Sequence, residues 1–168
     1  MSPPQNSKST PTGQELSKLA GRLAAEQTTM TLATASKDMA WAAPVYYVFY
    51  KSAFYFLSDP KSRHIDEALQ SGQSSSAVHA VASTWKEIRG LQMTGAIEPV
   101  AGGLEALQAL KEYLKKFPFT KEFFGKNTAL DLNSFGERFG VRLYKFIPAL
   151  VYYLDNQIRF AFREVVKL

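Results

Sequence analysis

The 168-residue sequence contains no cysteine. This excludes disulfides, thiolate nucleophiles, zinc–thiolate sites and an internal dithiol that could accept electrons. Histidine is nearly absent too, with His64 and His79 the whole supply. A histidine-rich metal centre is therefore not expected, and nothing in the sequence supports a carboxylate-only one. No apolar run approaches the roughly 20 residues of a membrane-spanning helix. The N-terminus lacks the apolar core of a signal peptide. A cytoplasmic protein with no membrane partner is the expectation. Basic runs are also missing. The net charge is +5 and the pI about 9.4, yet the only adjacent basic pair is Lys115–Lys116. Scattered cations without a recognition motif argue against a nucleic-acid partner.

What is present fits one globular domain. Hydrophobic residues make up 46% and charged residues 21%, ordinary values for a chain long enough to bury a core. Residues 1–12 are rich in Pro, Ser and Thr and are expected to form a disordered tail. A single domain is expected over 13–168. A first helix is expected over 14–26, with Leu16, Leu19, Ala20, Leu23 and Ala24 in one apolar stripe. Strands are expected at 28–36, 40–50 and 53–58, joined into a meander by turns at Lys37–Asp38 and Lys51–Ser52. A helix over 62–71 precedes strands at 75–83 and 88–100. Leu91, Met93 and Ile97 face one way there, and Gln92, Thr94 and Glu98 the other. A helix over 103–117 carries Leu104, Leu107, Leu110, Leu114 and Phe117. Short helical pieces are expected over 119–139. Strands at 141–147, 149–155 and 157–162 finish the chain, with a hairpin turn at Asp155–Asn156. The fold class is mainly β: an antiparallel barrel with inserted helices.

Two interruptions stand out. Pro44 inside a strand marks an edge, a bulge or a gap in pairing. Gly90 and Gly95 bracket Leu91–Thr94. They mark either a barrel corner or the close approach of a ligand. Gln92, between them, offers an amide that both donates and accepts.

The stretch FLSDPKSRHIDEAL (56–69) poses a sharper question. Lys61, Arg63 and His64 crowd a helix start, where the partial positive charge disfavours cations. Asp59–Pro60 reads as an ordinary N-cap and first helical residue, which leaves the cations unexplained. A phosphate would explain them. The helix N-terminus, a Ser62 hydroxyl, a bidentate Arg63 and His64 would all serve such an anion. Neither GxxxxGK[ST] nor GxGxxG occurs, so a doubly wound nucleotide fold is not indicated. The alternative is a solvated helix face.

TMTLATAS, WAAPVYYVFY, FYFLSDPKSRHIDEAL and IRGLQMTGAIEPV, in that order, resemble the FMN-binding split-barrel family related to pyridoxamine 5'-phosphate oxidase. The resemblance spans about residues 15–163. It implies a homodimer with FMN at the subunit interface. It implies that Ala43, Pro44, Val45 and Tyr46 line the flavin ring. Leu57, Ser58, Lys61, Ser62, Arg63 and His64 then surround the phosphate, with Ser62-Arg63-His64 in place of the family's Ser-Arg-Lys. Arg89, Gly90 and Gln92 are the candidates on the fifth strand, and Trp85 for the flavin of the other subunit. The implied activity is an FMN-dependent oxidoreductase acting on a small molecule, with a reduced nicotinamide as donor. Trp41 and Ala42 stand where the oxidase has an arginine, and RFAFREVVKL lacks its Arg-x-His motif. The oxidase's own reaction is therefore not implied. A flavin carrier or sensor, and relatives that bind F420 or haem, are the alternatives. No acid or base is indicated.

Overall fold

The computed structural model of the chain describes residues 10–123, 136 and 139–168. Most of the expected N-terminal tail, and most of the segment expected to hold short helices, lie outside the described residues. Helix α1 (Gly13–Glu26) starts at Thr12, which had been assigned to the tail. Thr12 and Glu15 form a capping box, a signature present in the sequence as T-x-x-E. Leu16, Ala20, Leu23 and Ala24 bury the expected stripe.

Seven strands follow the chain as β1 (Thr29–Ser36), β2 (Met39–Tyr50), β3 (Ala53–Ser58), β4 (Ser74–His79), β5 (Arg89–Pro99), β6 (Arg142–Asp155) and β7 (Arg163–Val165). All pair antiparallel, in the order β3-β2-β1-β4-β5-β6-β7, and β3 also pairs with β6. That last pairing closes β1–β6 into a six-stranded barrel. The outer edge of β6 is shared. Its first half carries β3 through Phe146, and its second half carries β7 from Tyr152. This is a split-barrel architecture, as the sequence led us to expect. Lys37, Asp38, Lys51 and Ser52 all have positive φ, the conformation of hairpin turns that match strand twist.

The interior is aromatic. Met30, Leu32, Tyr47, Phe54, Phe56, Leu91, Met93, Tyr144, Phe146 and Tyr153 form the central cluster, with α1 and Ile65 of α2 (Arg63–Ser71) packed on it. Tyr47 keeps its hydroxyl satisfied by donating to the carbonyl of Ala24 at 2.7 Å. A second cluster joins Val48, Tyr55 and Leu143 to α3 (Leu104–Lys116) on the outside of the barrel.

Several expectations need correction. The two strands expected at 141–147 and 149–155 are one continuous β6. Its register against β5 slips at Thr94/Gly95, opposite Pro148. The proline is absorbed by a bulge instead of ending the strand. The strand expected at 157–162 is a loop, and β7 lies beyond it. Phe162 is buried in the core, while Asp155 accepts from Gln157 N–H and the Tyr153 hydroxyl, so the chain folds inward before pairing again. The strand expected at 75–83 ends at His79. On α3, Leu104 and Leu107 are exposed, at 74% and 48%. The buried face is Ala106, Ala109, Leu110, Tyr113 and Leu114. The sheet surface under α3 accepts small residues close to the helix axis.

Both strand glycines are barrel geometry. A Cβ on Gly90 would sit 2.6 Å from the carbonyl oxygen of Val78, and one on Gly95 would sit 2.1 Å from that of Ile147. The close approach is to neighbouring backbone in each case.

Candidate functional site

The β2–β3 ladder covers only Tyr47–Tyr50 of β2. The remainder, Met39–Tyr46, pairs with β1 on one side and leaves its other edge open. Pro44 sits in this open stretch, where a missing N–H is tolerated. α2 begins beside it: the Arg63 guanidinium lies over the Trp41 ring, 4.7 Å from its centroid.

Ser62, not Asp59, is the N-cap of α2. Asp59 instead accepts from the Lys61 N–H at 2.8 Å and shapes the preceding turn. The Ser62 hydroxyl makes no capping bond. It faces the Ser58 hydroxyl at 3.2 Å and His64 Nε2 at 3.3 Å, and Ser58 Oγ is 2.8 Å from the same nitrogen. Three polar side chains thus converge at the helix start. In the first turn the Ile65 N–H donates to the Ser62 carbonyl at 3.1 Å, which leaves the Arg63 and His64 N–H groups without an intrahelical acceptor. Burial pushes the His64 pKa below its ordinary value, so the imidazole is neutral at neutral pH.

Arg63 answers part of the question raised by the basic helix start. Its Nε donates to Glu67 Oε1 at 2.6 Å, one helical turn on. Glu67 is buried, and its other oxygen accepts from the Thr34 hydroxyl at 2.6 Å. The Thr34 bond and then Arg63 hold the Glu67 carboxyl below its usual range. The chain Thr34–Glu67–Arg63–Trp41 ties the start of α2 to β1 and to the open edge of β2. Among the described residues, neither Nη group of Arg63 has an acceptor.

The other expected residues separate by strand parity. Pro44 and Gln92 point outward, and the registers place them in one row across the sheet: Pro44, Thr31, Ala77, Gln92, Tyr152. Flanking it are the row Ala42, Ala33, Ser75, Thr94 and the pairs Tyr46–Thr29 and His79–Gly90. The rows through Pro44 and Ala42 are built mostly of small side chains. Ala43 is buried, and Val45 packs against the core. Leu57 packs against the α3 cluster. Tyr46 is outward but contacts Phe117 and Phe119, with centroids at 5.2 and 5.7 Å. Lys61 is exposed. Arg89 is half-buried and registers with Asp155. Trp85 opens a one-turn 3-10 helix (Trp85–Glu87), edge-on to Phe160 at 5.5 Å, its carbonyl held by the Asn156 side-chain amide. Sequence reasoning missed Trp41, Glu67 and Thr34. Only the Arg63/Glu67 spacing of four could have signalled them.

His64 carries a pH expectation. Below the ordinary histidine pKa of about 6.5 the unfolded chain binds a proton that the half-buried imidazole disfavours. The ligand-free protein is expected to lose stability as pH falls from that value, and His64→Gln to flatten the dependence. Melting temperatures between pH 8 and 5 for both proteins test this. Parallel curves would refute it.

The closed barrel with a second-strand gap beside a polar helix start defines the class: a split barrel like that of pyridoxamine 5'-phosphate oxidase. Solved structures agree on the fold. A heme binding protein from Mycobacterium smegmatis superposes with a TM-score of 0.69 at 16% identity, over 95% of this chain and 59% of that one. A FAD-binding protein from Mesorhizobium loti gives 0.60 at 13%, over 80% and 90%. A Listeria innocua protein provisionally named a pyridoxamine 5'-phosphate oxidase gives 0.62 at 11%, over 83% and 98%. No family model matches the sequence. The chain belongs to the UPF0306 family. It is 31% identical over 103 residues to a UPF0306 protein of Klebsiella pneumoniae (strain 342), covering 60% of this chain and 69% of that protein. The UPF0306 protein YhbP of Salmonella schwarzengrund (strain CVM19633) matches with the same identity and coverage. Among the described residues no helix is long and apolar enough to cross a membrane.

Proposed function

We propose that this protein binds FMN between two copies of itself and acts as an FMN-dependent oxidoreductase on a small molecule, with a reduced nicotinamide as electron donor. The observation that carries this reading is the Ser58–Ser62–His64 cluster beside the open edge of β2. The donor set fits a phosphate: two hydroxyls, an imidazole, and the Arg63 and His64 N–H groups at the helix start. The free Nη groups of Arg63 add a bidentate partner, which Glu67 and Trp41 hold in place. Lys61 adds an exposed charge nearby. The flavin ring is assigned to Ala43, Pro44, Val45 and Tyr46, with Arg89 and Gln92, and Leu57 to the phosphate end. Trp85 is assigned to the ring held mainly by the other copy. The small-residue face of β2, β1, β4 and β5 lets a second copy approach the sheet closely. FMN, when bound, supplies hydride and electron transfer; the residues named here bind it and orient it. No nucleic-acid or membrane partner enters the reading.

A second reading is haem. His79 favours it, an imidazole on the open face whose Nδ1 lies 3.3 Å from the Ala80 carbonyl, leaving Nε2 for a metal. The heme-binding fold relative makes it worth testing. The visible spectrum of the purified protein, before and after FMN is added and the excess removed, separates the two. Retained flavin bands are expected. A Soret band in place of flavin would favour His79 and haem, and neither band would defeat both readings.

A further inference from the structure

The other end of α2 borders a recess of about 1000 Å³, formed by the end of β1, the start of β4 and the middle of β5 and β6 around their bulge. Helix α2 is about 13 Å long at 1.5 Å per residue, so this recess and the Ser58–Ser62–His64 cluster lie at opposite ends of it and share no residue. Ser74 lines the recess. It is 7% exposed, and its hydroxyl has no hydrogen-bond partner. Ser76, on the same face of β4, is likewise buried and unpartnered. Buried hydroxyls in folded proteins are almost always paired, so Ser74 marks a position where something polar is missing.

The lining defines what is missing. It contains no Lys, Arg or His. It contains one carboxylate, Glu98, the hydroxyls of Thr34, Ser71, Ser74, Ser75 and Thr94, and the Gln73 amide. The Thr34 hydrogen is committed to Glu67, which leaves its lone pairs as acceptors. Lys145 lies 4.0 Å from Glu98 but only 3.0 Å from Glu105, so Glu98 is incompletely neutralised. The C-terminal end of α2 adds the negative pole of its dipole and the carbonyls that follow Ala68, whose own carbonyl accepts from the Gly72 N–H. In a chain of net charge +5, this is a local concentration of acceptors. Ile147 and Pro148 give it an apolar wall.

We infer that the recess binds a small organic primary ammonium ion with an apolar body. An ammonium group has three donors and no acceptor, the complement of an orphan hydroxyl, helix carbonyls and a carboxylate. An anion finds no donor charge in the lining. The recess uses none of the phosphate-cluster residues Ser58, Ser62 and His64, and through Ala33, Ser75 and Thr94 it borders the outer face given above to the second copy.

Calorimetric titration of the full chain with benzylamine, benzyl alcohol and benzoate tests the inference. Benzylamine is expected to bind saturably, benzyl alcohol at least tenfold more weakly, and benzoate not at all. Ser74→Ala and Glu98→Gln are each expected to weaken benzylamine at least fivefold. Neither should lower the melting temperature, because Ser74 has no bond to lose and Glu98 is exposed. Equal binding of the three probes, no saturation by benzylamine, or full affinity in both variants would overturn the inference. A flavin spectrum recorded in parallel keeps its failure distinct from that of the cofactor reading.

Discussion

Gly95→Ala is expected to cost about 3 kcal/mol of folding stability, the upper end of what overpacking costs. The added Cβ would lie 2.1 Å from the carbonyl oxygen of Ile147 and 3.0 Å from Cζ of Phe146. The first of these is backbone in the partner strand, so no rotamer change relieves it. β5 and β6 would have to separate where Pro148 already shifts their register. Gly90→Ala, with a 2.6 Å approach to the Val78 carbonyl oxygen, is expected to behave similarly but less severely. Gly72→Ala is the contrast. Nothing lies within 4 Å of its Cβ, and its φ of +68° costs only the left-handed strain of about 1–2 kcal/mol. Urea denaturation midpoints of the three variants give the order. A Gly95→Ala midpoint equal to that of the unsubstituted protein would mean that the two strands do not cross this closely.

The Ser58→Ala/His64→Ala double variant is expected to weaken FMN binding about 30-fold, or ~2 kcal/mol, the scale of hydrogen bonds to a charged group. These two residues make the shortest contact of the cluster, 2.8 Å, and both turn toward the helix start. Arg63→Ala is a poorer test. It also strips Glu67 of a partner and uncovers Trp41, so lost binding and lost stability would be mixed. His64 should respond to pH as well. A phosphate dianion at Nε2 opposes the burial that now keeps the imidazole neutral, so bound FMN should protect the protein against the acid loss described above. Fluorescence titration of FMN against the double variant checks the first expectation. Unchanged affinity with an intact melting temperature would remove the phosphate assignment.

Much of the fold was legible because local chemistry and tertiary packing agree. The β1–β3 meander shows this. Met30, Leu32 and Thr34 alternate with exposed residues, and the two-residue connections Lys37–Asp38 and Lys51–Ser52 allow only tight turns. Pro148 shows the opposite case. It looks like a strand break, and only the slack given by Gly95 on the neighbouring strand lets β6 run through it. Phe162 looks like part of a strand, yet its burial draws the loop inward and delays β7. The site divides in the same way. The basic residues at 61–64 were conspicuous against the helix dipole. That Ser62 caps the helix while turning its hydroxyl to Ser58 and His64 was not, because that choice depends on where β3 ends. Leu104 and Leu107 kept helical spacing but sit on the outer side of α3, since periodicity identifies a stripe and only packing decides which stripe is buried.

The sequence by itself determined the antiparallel, mainly β character, the meander, the three helices and the anomalous charge at the start of α2. Each follows from alternation, capping or sign, and these act over a few residues. The tertiary structure decided the rest. It closed the barrel through β3 and β6, about ninety residues apart. It opened the edge of β2 beside α2 and gave Arg63 its partners Glu67 and Trp41. It also buried Ser74 without one. These outcomes depend on which strands meet and in which register, and no local pattern encodes a contact between segments so distant along the chain.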